Sequence, residues 1–111
     1  MDEHTVKEDV LNILRVLSSS EEANQRDLSG RLGFSLGKTN YLLKSLITKG
    51  FIEIKNFTTL NNKFKKVHYM LTPKGFEHKV RLTYHFLKMK EEEYLALKRE
   101  VAQAEKTKGT L

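Results

Sequence analysis

The stretch that decides the fold is residues 24–50, which read NQRDLSGRLGFSLGKTNYLLKSLITKG. Its first part predicts a short helix over Gln25–Leu32, because Asn24 is a favoured N-cap residue and the leucines that follow have helical spacing. Gly33 suits the left-handed conformation that commonly ends a helix. The chain is therefore expected to turn at Gly33 before a second segment begins.

The second part of this stretch predicts a longer helix over Leu36–Lys49, with Ser35 as its N-cap and Gly50 as its left-handed stop. Only a few residues separate it from the preceding helix. Two helices joined by so short a turn indicate a helix-turn-helix.

At 100° per residue, the helix over Leu36–Lys49 has an apolar side and an opposite polar side. The apolar side, which can pack against other helices, consists of Thr39, Leu42, Leu43 and Leu46, with Ile47 at its edge. The polar side consists of Gly37, Asn40, Tyr41, Lys44 and Thr48, with Lys38 and Ser45 at its margins. A capped helix with an apolar back and a front of donors and acceptors fits the major groove of DNA. The alternative is a helix face that is merely solvated.

Specific contacts can be assigned to the polar side. Lys44 can donate to guanine, Asn40 can pair with adenine, and Tyr41 can bond to a phosphate or touch a thymine methyl group. Lys38, near the positive end of the helix, is better placed for a backbone phosphate. Gly37 would let the backbone come close to DNA, at a cost of about 1 kcal/mol of helix propensity relative to Ala. The residues of the two helices expected to contact DNA are Arg26, Ser35, Gly37, Lys38, Asn40, Tyr41 and Lys44.

A β-hairpin is predicted directly after the helix-turn-helix. Phe51–Phe57 and Val67–Leu71 are rich in β-branched and aromatic residues, and the polar loop between them contains an Asn61-Asn62 pair that suits a turn. The basic residues of this hairpin would form a wing that contacts phosphates beside the groove. They are Lys63, Lys65 and Lys66. The other interpretation of this charge run is a solvated loop.

A further helix is predicted on each side of this region. On the N-terminal side, Thr5 and Glu8 form a capping box, and the apolar residues that follow predict a helix over residues 5–18. On the C-terminal side, Thr72 is a cap and Pro73 is the first position of a helix of about 34 residues, some 50 Å long.

The long C-terminal helix keeps an apolar stripe. Four apolar residues recur every seven positions from Val80 to Val101, although Glu91 and Lys98 interrupt the companion stripe. A helix that overhangs its own domain and keeps such a stripe needs a partner, and self-association is the simplest source of one. The residues expected at the dimer interface are Val80, Tyr84, Leu87, Tyr94, Leu97 and Val101. We therefore expect a DNA-binding domain over residues 1–79 and a dimerisation helix over residues 80–108.

Positive charge is concentrated in the middle of the chain. The 111 residues carry a net charge of +6, and residues 24–79 hold eleven basic residues against three acidic ones. This asymmetry indicates a polyanionic partner, for which nucleic acid is a better candidate than a membrane surface. The N-terminus is unlike a signal peptide, and no apolar run reaches the roughly 18 residues of a membrane span. A soluble, cytoplasmic protein is expected.

Residues 33–39, GFSLGKT, are superficially similar to a nucleotide-binding loop. That loop is written G-x-x-x-x-G-K-[ST] and follows a buried strand, whereas three residues separate Gly33 from Gly37 and the preceding segment has helical spacing. No aspartate lies at the end of a predicted strand, where it could hold magnesium. The sequence has no cysteine, and no pair of its four histidines is spaced to chelate one ion. We expect neither an enzyme nor a metal or other cofactor.

The run NQRDLSGRLGFSLGKTNYLLKSLITKGFIEIKNF, followed by a basic loop and by HYMLTPKG, resembles the winged helix-turn-helix of the MarR-type regulators over about residues 5–79. It is most similar to the short group associated with exopolysaccharide gene clusters, in which SLGKxNYLLKxLxxKG and LTPKG recur before one long helix. The resemblance implies an α+β winged helix, with three helices, a two- or three-stranded β-wing and a long C-terminal dimerisation helix.

The same resemblance implies a homodimeric bacterial transcription regulator whose two third helices enter successive major grooves of double-stranded DNA, at a pseudo-palindromic operator. Larger MarR-type proteins dimerise through helices from both ends and bind small phenolic ligands between them, whereas one terminal helix is predicted here. A second function stays open at this point, namely a winged helix that docks a protein partner without reading DNA.

Overall fold

Six elements follow one another along the chain. The computed structural model describes residues 2–19, 23–58 and 65–109, with the side chains of residues 56–58 and 65–66 excepted. Its elements are α1 (Glu3–Ser19), α2 (Gln25–Leu32), α3 (Leu36–Thr48), β1 (Ile52–Thr58), β2 (Lys65–Leu71) and α4 (Pro73–Gly109). The predicted class, an α+β winged helix with a long C-terminal helix, is confirmed.

The first helix starts earlier than the sequence predicts. It begins at Glu3, and the amide of Val6 donates to the carbonyl of Asp2 at 3.0 Å. The predicted capping box of Thr5 and Glu8 is therefore wrong, because both residues lie inside the helix. The Glu8 carboxylate instead lies 3.9 Å from the imidazole of His4, one turn earlier.

An apolar core joins all three short helices to the sheet and to the first part of α4. Each fully buried side chain of this kind contributes about 1.5–3 kcal/mol relative to an exposed one. The core consists of Leu11, Ile13, Leu14, Leu17, Ala23, Leu28, Leu42, Leu43, Leu46, Ile52, Tyr69, Leu82 and Phe86. It holds α3 in a fixed position, because three of its leucines are among the most buried residues.

The wing begins as a two-stranded antiparallel sheet. Ile52 pairs with Leu71 and Ile54 with Tyr69, so the strands leave the domain side by side. Ala23, just before α2, adds one bridge to β2, in which the amide of Tyr69 donates to its carbonyl at 3.0 Å. The predicted Asn61-Asn62 turn lies outside the described residues.

The start of α4 is fixed to the turn between α3 and β1. The hydroxyl of Thr72 lies 2.7 Å from the Gly50 carbonyl and accepts a hydrogen bond from the Gly75 amide at 3.0 Å. A Cβ atom at Gly75 would overlap the carbonyl oxygen of Phe51, so only glycine allows this approach of helix and strand. One turn further, the His78 imidazole stacks on the Phe51 ring, with centroids 4.2 Å apart.

The rest of α4 projects from the domain. The helix has 37 residues, and the chain measures 76 × 25 × 24 Å. Leu82 and Phe86 are buried and Met89 packs partly against the core, so the core reaches beyond the boundary expected at residue 79. From Lys90 to Gly109 every residue is exposed. None of the helices within residues 2–19, 23–58 and 65–109 has the length and apolar character needed to cross a membrane.

Candidate nucleic-acid interface

The back of α3 is packed into the core, as its pattern predicts. Thr39, Leu42, Leu43 and Leu46 are all buried, and the Thr39 hydroxyl donates to the Ser35 carbonyl at 2.9 Å. This burial fixes the rotation of the helix about its own axis. The opposite side must therefore point away from the protein.

The turn between α2 and α3 has the predicted caps. Asn24 and Asp27 form a reciprocal capping box at the start of α2, and Gly33 ends that helix with a φ of 70°. The Ser35 hydroxyl accepts a hydrogen bond from the Lys38 amide at 3.1 Å. The Gln25 side chain donates to the Leu36 carbonyl at 3.1 Å, which joins the first turns of both helices. The two helices therefore form one rigid helix-turn-helix.

The front of α3 is open to solvent. Tyr41 is 64% exposed, and Lys44 and Thr48 are also exposed, while Asn40 is half-buried. A Cβ atom at Gly37 would meet nothing within 4 Å, so no neighbour in the protein requires glycine there. These residues form a continuous surface of donors and acceptors around the exposed backbone of Gly37.

One exposed apolar residue at this surface is absent from the predicted set. Leu36 occupies the first position of α3 and is 50% exposed, next to the front face. Its position directly after the N-cap Ser35 is the sequence signal that could have identified Leu36 as part of this surface. An apolar side chain there is of the kind that touches a thymine methyl group.

Lys38 forms an ion pair within the protein. Its ammonium lies 2.7 Å from the carboxylate of Asp9, a buried residue of α1, and 4.4 Å from the centroid of the Phe34 ring. The charge of Lys38 is thus paired inside the protein, and its phosphate contact stays a prediction. Sequence spacing gives no sign of this pair, because it depends on how α1 packs against α3.

The remaining predicted DNA-binding residues lie at the edges of this surface. Arg26 is exposed in the first turn of α2. Lys65 and Lys66 belong to β2, where their backbones pair with Thr58 and Phe57. Lys63 lies outside the described residues. The structure thus brings α2 and α3 together and sets the base of the wing directly after them.

The predicted dimerisation residues are exposed on α4. Val80 is 37% exposed, and the other five are between 52% and 69% exposed. The five are Tyr84, Leu87, Tyr94, Leu97 and Val101. Apolar side chains exposed in a row along one helix indicate a surface that another molecule covers.

Titratable groups in the described parts of the chain form no cluster of the kind that holds a metal ion. Residues 2–19, 23–58 and 65–109 contain no group of three His, Asp or Glu side chains that could hold a metal ion. Burial lowers the pKa of His78 from its ordinary value of 6.5, and the nearby charges of Arg81 and Lys49 lower it further. Its stacking on Phe51 gives His78 a structural position at the start of α4.

Residues 10–53 match the model of a domain family described as winged helix-turn-helix DNA-binding. The matched segment extends from α1 through α3 to the start of β1. No curated protein sequence matches the chain.

Several solved structures have the same fold. The adhesin competence repressor AdcR of Streptococcus pyogenes aligns with a TM-score of 0.62 at 19% identity, over 82% of this chain and 65% of that chain. MarR of Staphylococcus aureus, solved with salicylate and kanamycin, aligns with a TM-score of 0.58 at 23% identity, over 75% of this chain and 53% of that chain. A mutant of ZitR from Lactococcus lactis, solved in complex with DNA, aligns with a TM-score of 0.59 at 19% identity, over 78% of this chain and 57% of that chain.

These comparisons agree with the fold described above. The chain has the winged-helix fold of MarR-type regulators, and it spans between about half and two-thirds of the length of these three proteins. Its residues 10–53 match the winged helix-turn-helix DNA-binding family model within that fold. Within this fold, GFSLGKT forms the turn between α2 and α3 and the first turn of α3.

Proposed function

We propose that this protein is a sequence-specific transcription regulator that binds double-stranded DNA as a homodimer in the cytoplasm. The observation that carries the proposal is the orientation of α3. Its buried back fixes the helix, and its front presents Asn40, Tyr41 and Lys44 around the open backbone of Gly37. A helix of this kind can enter the major groove, where each base pair displays a distinct set of donors and acceptors.

Charge supports the same proposal. Eleven of the twenty basic residues lie within residues 24–79, together with only three of the fourteen acidic ones. Phosphate contacts by such residues supply most of the sequence-independent affinity for DNA. Arg26 at the start of α2 and the lysines of the wing, Lys63, Lys65 and Lys66, are the residues we assign to phosphates.

The homodimer is proposed from the exposed apolar side of α4. Two copies joined through this helix would offer two α3 helices to successive major grooves of a pseudo-palindromic operator, about 34–36 Å apart. Control of exopolysaccharide genes is a further proposal, and it depends only on the resemblance of SLGKTNYLLKSLITKG and LTPKG to that group.

Selection of bound duplexes from a random pool tests this proposal, because it tests DNA binding and also yields the preferred site. We expect Lys44→Ala to weaken binding to that site by about 1–3 kcal/mol and to relax the preference at one base position. Lys108→Ala, which removes the same charge from the far end of α4, is the matched control. It should change neither the affinity for the preferred site nor the base preference.

Changes of Lys63, Lys65 or Lys66 should instead lower the affinity for all duplexes evenly and flatten its salt dependence. If the Lys44 variant bound preferred and scrambled duplexes as the wild type does, base readout by α3 would be wrong. Absence of DNA binding, or binding without salt dependence, would favour a protein-docking module instead.

A further inference from the structure

The outer part of α4 has one face that combines apolar and charged residues. At 100° per residue, six of its exposed apolar side chains fall within roughly 120° of the helix circumference. They are Val80, Tyr84, Leu87, Tyr94, Leu95 and Val101, while the exposed Leu97 lies outside this arc. Two charged residues, Glu91 and Lys98, lie in the middle of this face, seven positions apart.

Neither charge forms an ion pair within the described part of the chain. The Lys98 ammonium lies 5.1 Å from the centroid of the Tyr94 ring, and the neighbouring ion pair on the helix joins Lys90 to Glu93 instead. A charge in the centre of an apolar interface is costly unless an opposite charge of the partner meets it. Whatever covers this face must therefore supply one positive and one negative group at a separation of two helical turns.

A second copy of the chain supplies those groups in one orientation only. In a parallel, in-register pair of α4 helices, Glu91 would face Glu91 and Lys98 would face Lys98, and both contacts are repulsive. In an antiparallel pair, Glu91 of each copy can face Lys98 of the other, and two-fold symmetry makes this contact twice. We propose that α4 forms this antiparallel pair, with the two-fold axis between Tyr94 and Leu95.

The same register gives the other residues of the face suitable partners. Tyr94 then lies opposite Leu95 of the second copy, and Leu87 lies opposite Ala102. Tyr84 lies opposite Glu105, so that its phenol can donate a hydrogen bond to a carboxylate. Tyr94, Leu95 and Leu87 therefore meet apolar side chains, and Glu91 and Lys98 meet opposite charges, while Val80 and Val101 lie opposite Gly109 and Lys88.

This register also sets the distance along α4 between the two points at which the winged helices are attached. Each winged helix packs on α4 around Leu82, which is buried. In the antiparallel pair, Leu82 of the second copy lies opposite position 107 of the first. The two Leu82 residues are therefore about 25 residues apart along α4, or about 38 Å at 1.5 Å per residue. Successive major-groove half-sites are about 34–36 Å apart. The proposal rests on the homodimer of the proposed function, and it adds the orientation and register of that dimer.

A distance between two spin labels tests the orientation. The sequence has no cysteine, so Lys106→Cys gives one nitroxide site per chain, on the exposed end of α4. In the antiparallel register the two labels lie about 35 Å apart along the axis, whereas a parallel pair would hold them about 10 Å apart. Double electron–electron resonance on the full-length protein without DNA should give the longer distance. The shorter distance, or no dipolar signal, would overturn the proposal.

Charge reversal tests the register. Glu91→Lys alone and Lys98→Glu alone should each weaken the dimer by about tenfold or more, because each creates two like-charge contacts. The double variant Glu91→Lys/Lys98→Glu restores both pairs with the signs exchanged, and should dimerise within about threefold of the wild type. Glu100→Lys, on the opposite side of α4, is the control for the charge change and should leave dimerisation unaltered.

Sedimentation equilibrium measures the dimer dissociation constant of these four variants, and circular dichroism confirms that each is folded. If the single variants dimerised as Glu100→Lys does, or if the double variant did not recover, the Glu91–Lys98 register would be wrong. These measurements contain no DNA, so they fail or succeed independently of DNA binding. A dimer of another register that still bound its operator would overturn this inference and leave the proposed function in place.

Discussion

The ammonium of Lys38 lies 2.7 Å from the carboxylate of Asp9, which ties the first turn of α3 to α1. Asp9 is buried, and the side chain of Lys38 is 28% exposed. The pair therefore uses a positive charge at the start of α3 to stabilise the protein itself.

We expect Lys38→Gln to leave the salt dependence of DNA binding nearly unchanged. A lysine that contacts a phosphate contributes about 0.9 to the slope of log K against log salt concentration, and Lys38 directs its charge toward Asp9 instead. Arg26→Gln, at the exposed start of α2, is the matched comparison and should flatten the slope by about 0.9. Fluorescence anisotropy titrations of one duplex at several salt concentrations give both slopes. An equal flattening by both variants would show that Lys38 leaves Asp9 for a phosphate when DNA is bound.

A glycine on the front of α3 leads to the next prediction. We expect Gly37→Ala to raise the free energy of unfolding by up to about 1 kcal/mol, because alanine is the better helix former and its Cβ meets no atom within 4 Å. The same variant should bind DNA more weakly, by on the order of 1 kcal/mol, because the added methyl group prevents close approach of the backbone. Urea denaturation and duplex titration measure the two effects.

Gly30→Ala is the control for this change. Gly30 lies within α2 and also has open space around its Cβ position, so its substitution should stabilise the protein in the same way. It should leave DNA affinity unchanged. Equal affinities for Gly37→Ala and the wild type would mean that no close approach to DNA occurs at Gly37.

The elements that could be predicted from the sequence are those set by neighbouring residues. Asn24, Gly33 and Ser35 mark their helix ends through contacts within a few residues, so the bounds of α2 and the start of α3 are as predicted. The apolar back of α3 follows from helical periodicity alone, and the burial of Thr39 and Leu42 agrees with it. The front of the candidate site follows from the same periodicity.

What could not be predicted depends on residues far apart in the sequence. The start of α1 is the local exception, because Thr5 has the signal of a cap but Asp2 provides the first carbonyl acceptor and the helix extends back to Glu3. The ion-pair partner of Lys38 belongs to another helix, so the spacing of residues within α3 does not reveal it. The reach of the core to Phe86 likewise depends on how α1 packs against α4.

That packing of α4 leads to a prediction about Gly75. We expect Gly75→Ala to lower the free energy of unfolding by about 3 kcal/mol or more, because its Cβ would overlap the Phe51 carbonyl oxygen and a backbone segment would have to move. Gly109→Ala, at the end of the same helix with open space around it, should change stability little. Chemical denaturation of both variants measures the difference. A stability of Gly75→Ala close to that of Gly109→Ala would show that the start of α4 can shift without loss.

The stacked pair of His78 and Phe51 should make stability depend on pH. Burial, Arg81 and Lys49 hold the pKa of His78 below 6.5, so the folded protein binds its proton less readily than the unfolded chain does. Above about pH 7.5 both states are nearly neutral at this site and it adds little pH dependence. As the pH falls below that value the unfolded chain takes up the proton first, and the free energy of unfolding decreases until the folded pKa is passed.

A variant without this titration isolates the effect. His78→Phe keeps an aromatic ring on Phe51 but does not titrate. The free energy of unfolding of the wild type should therefore fall relative to that of this variant as the pH is lowered from about 7.5 to about 5. Guanidinium denaturation of both proteins across this pH range measures the effect. The contributions of the other three histidines to the pH dependence cancel, because both proteins contain them. Parallel pH profiles of the two proteins would show that His78 binds its proton equally well in the folded and unfolded states.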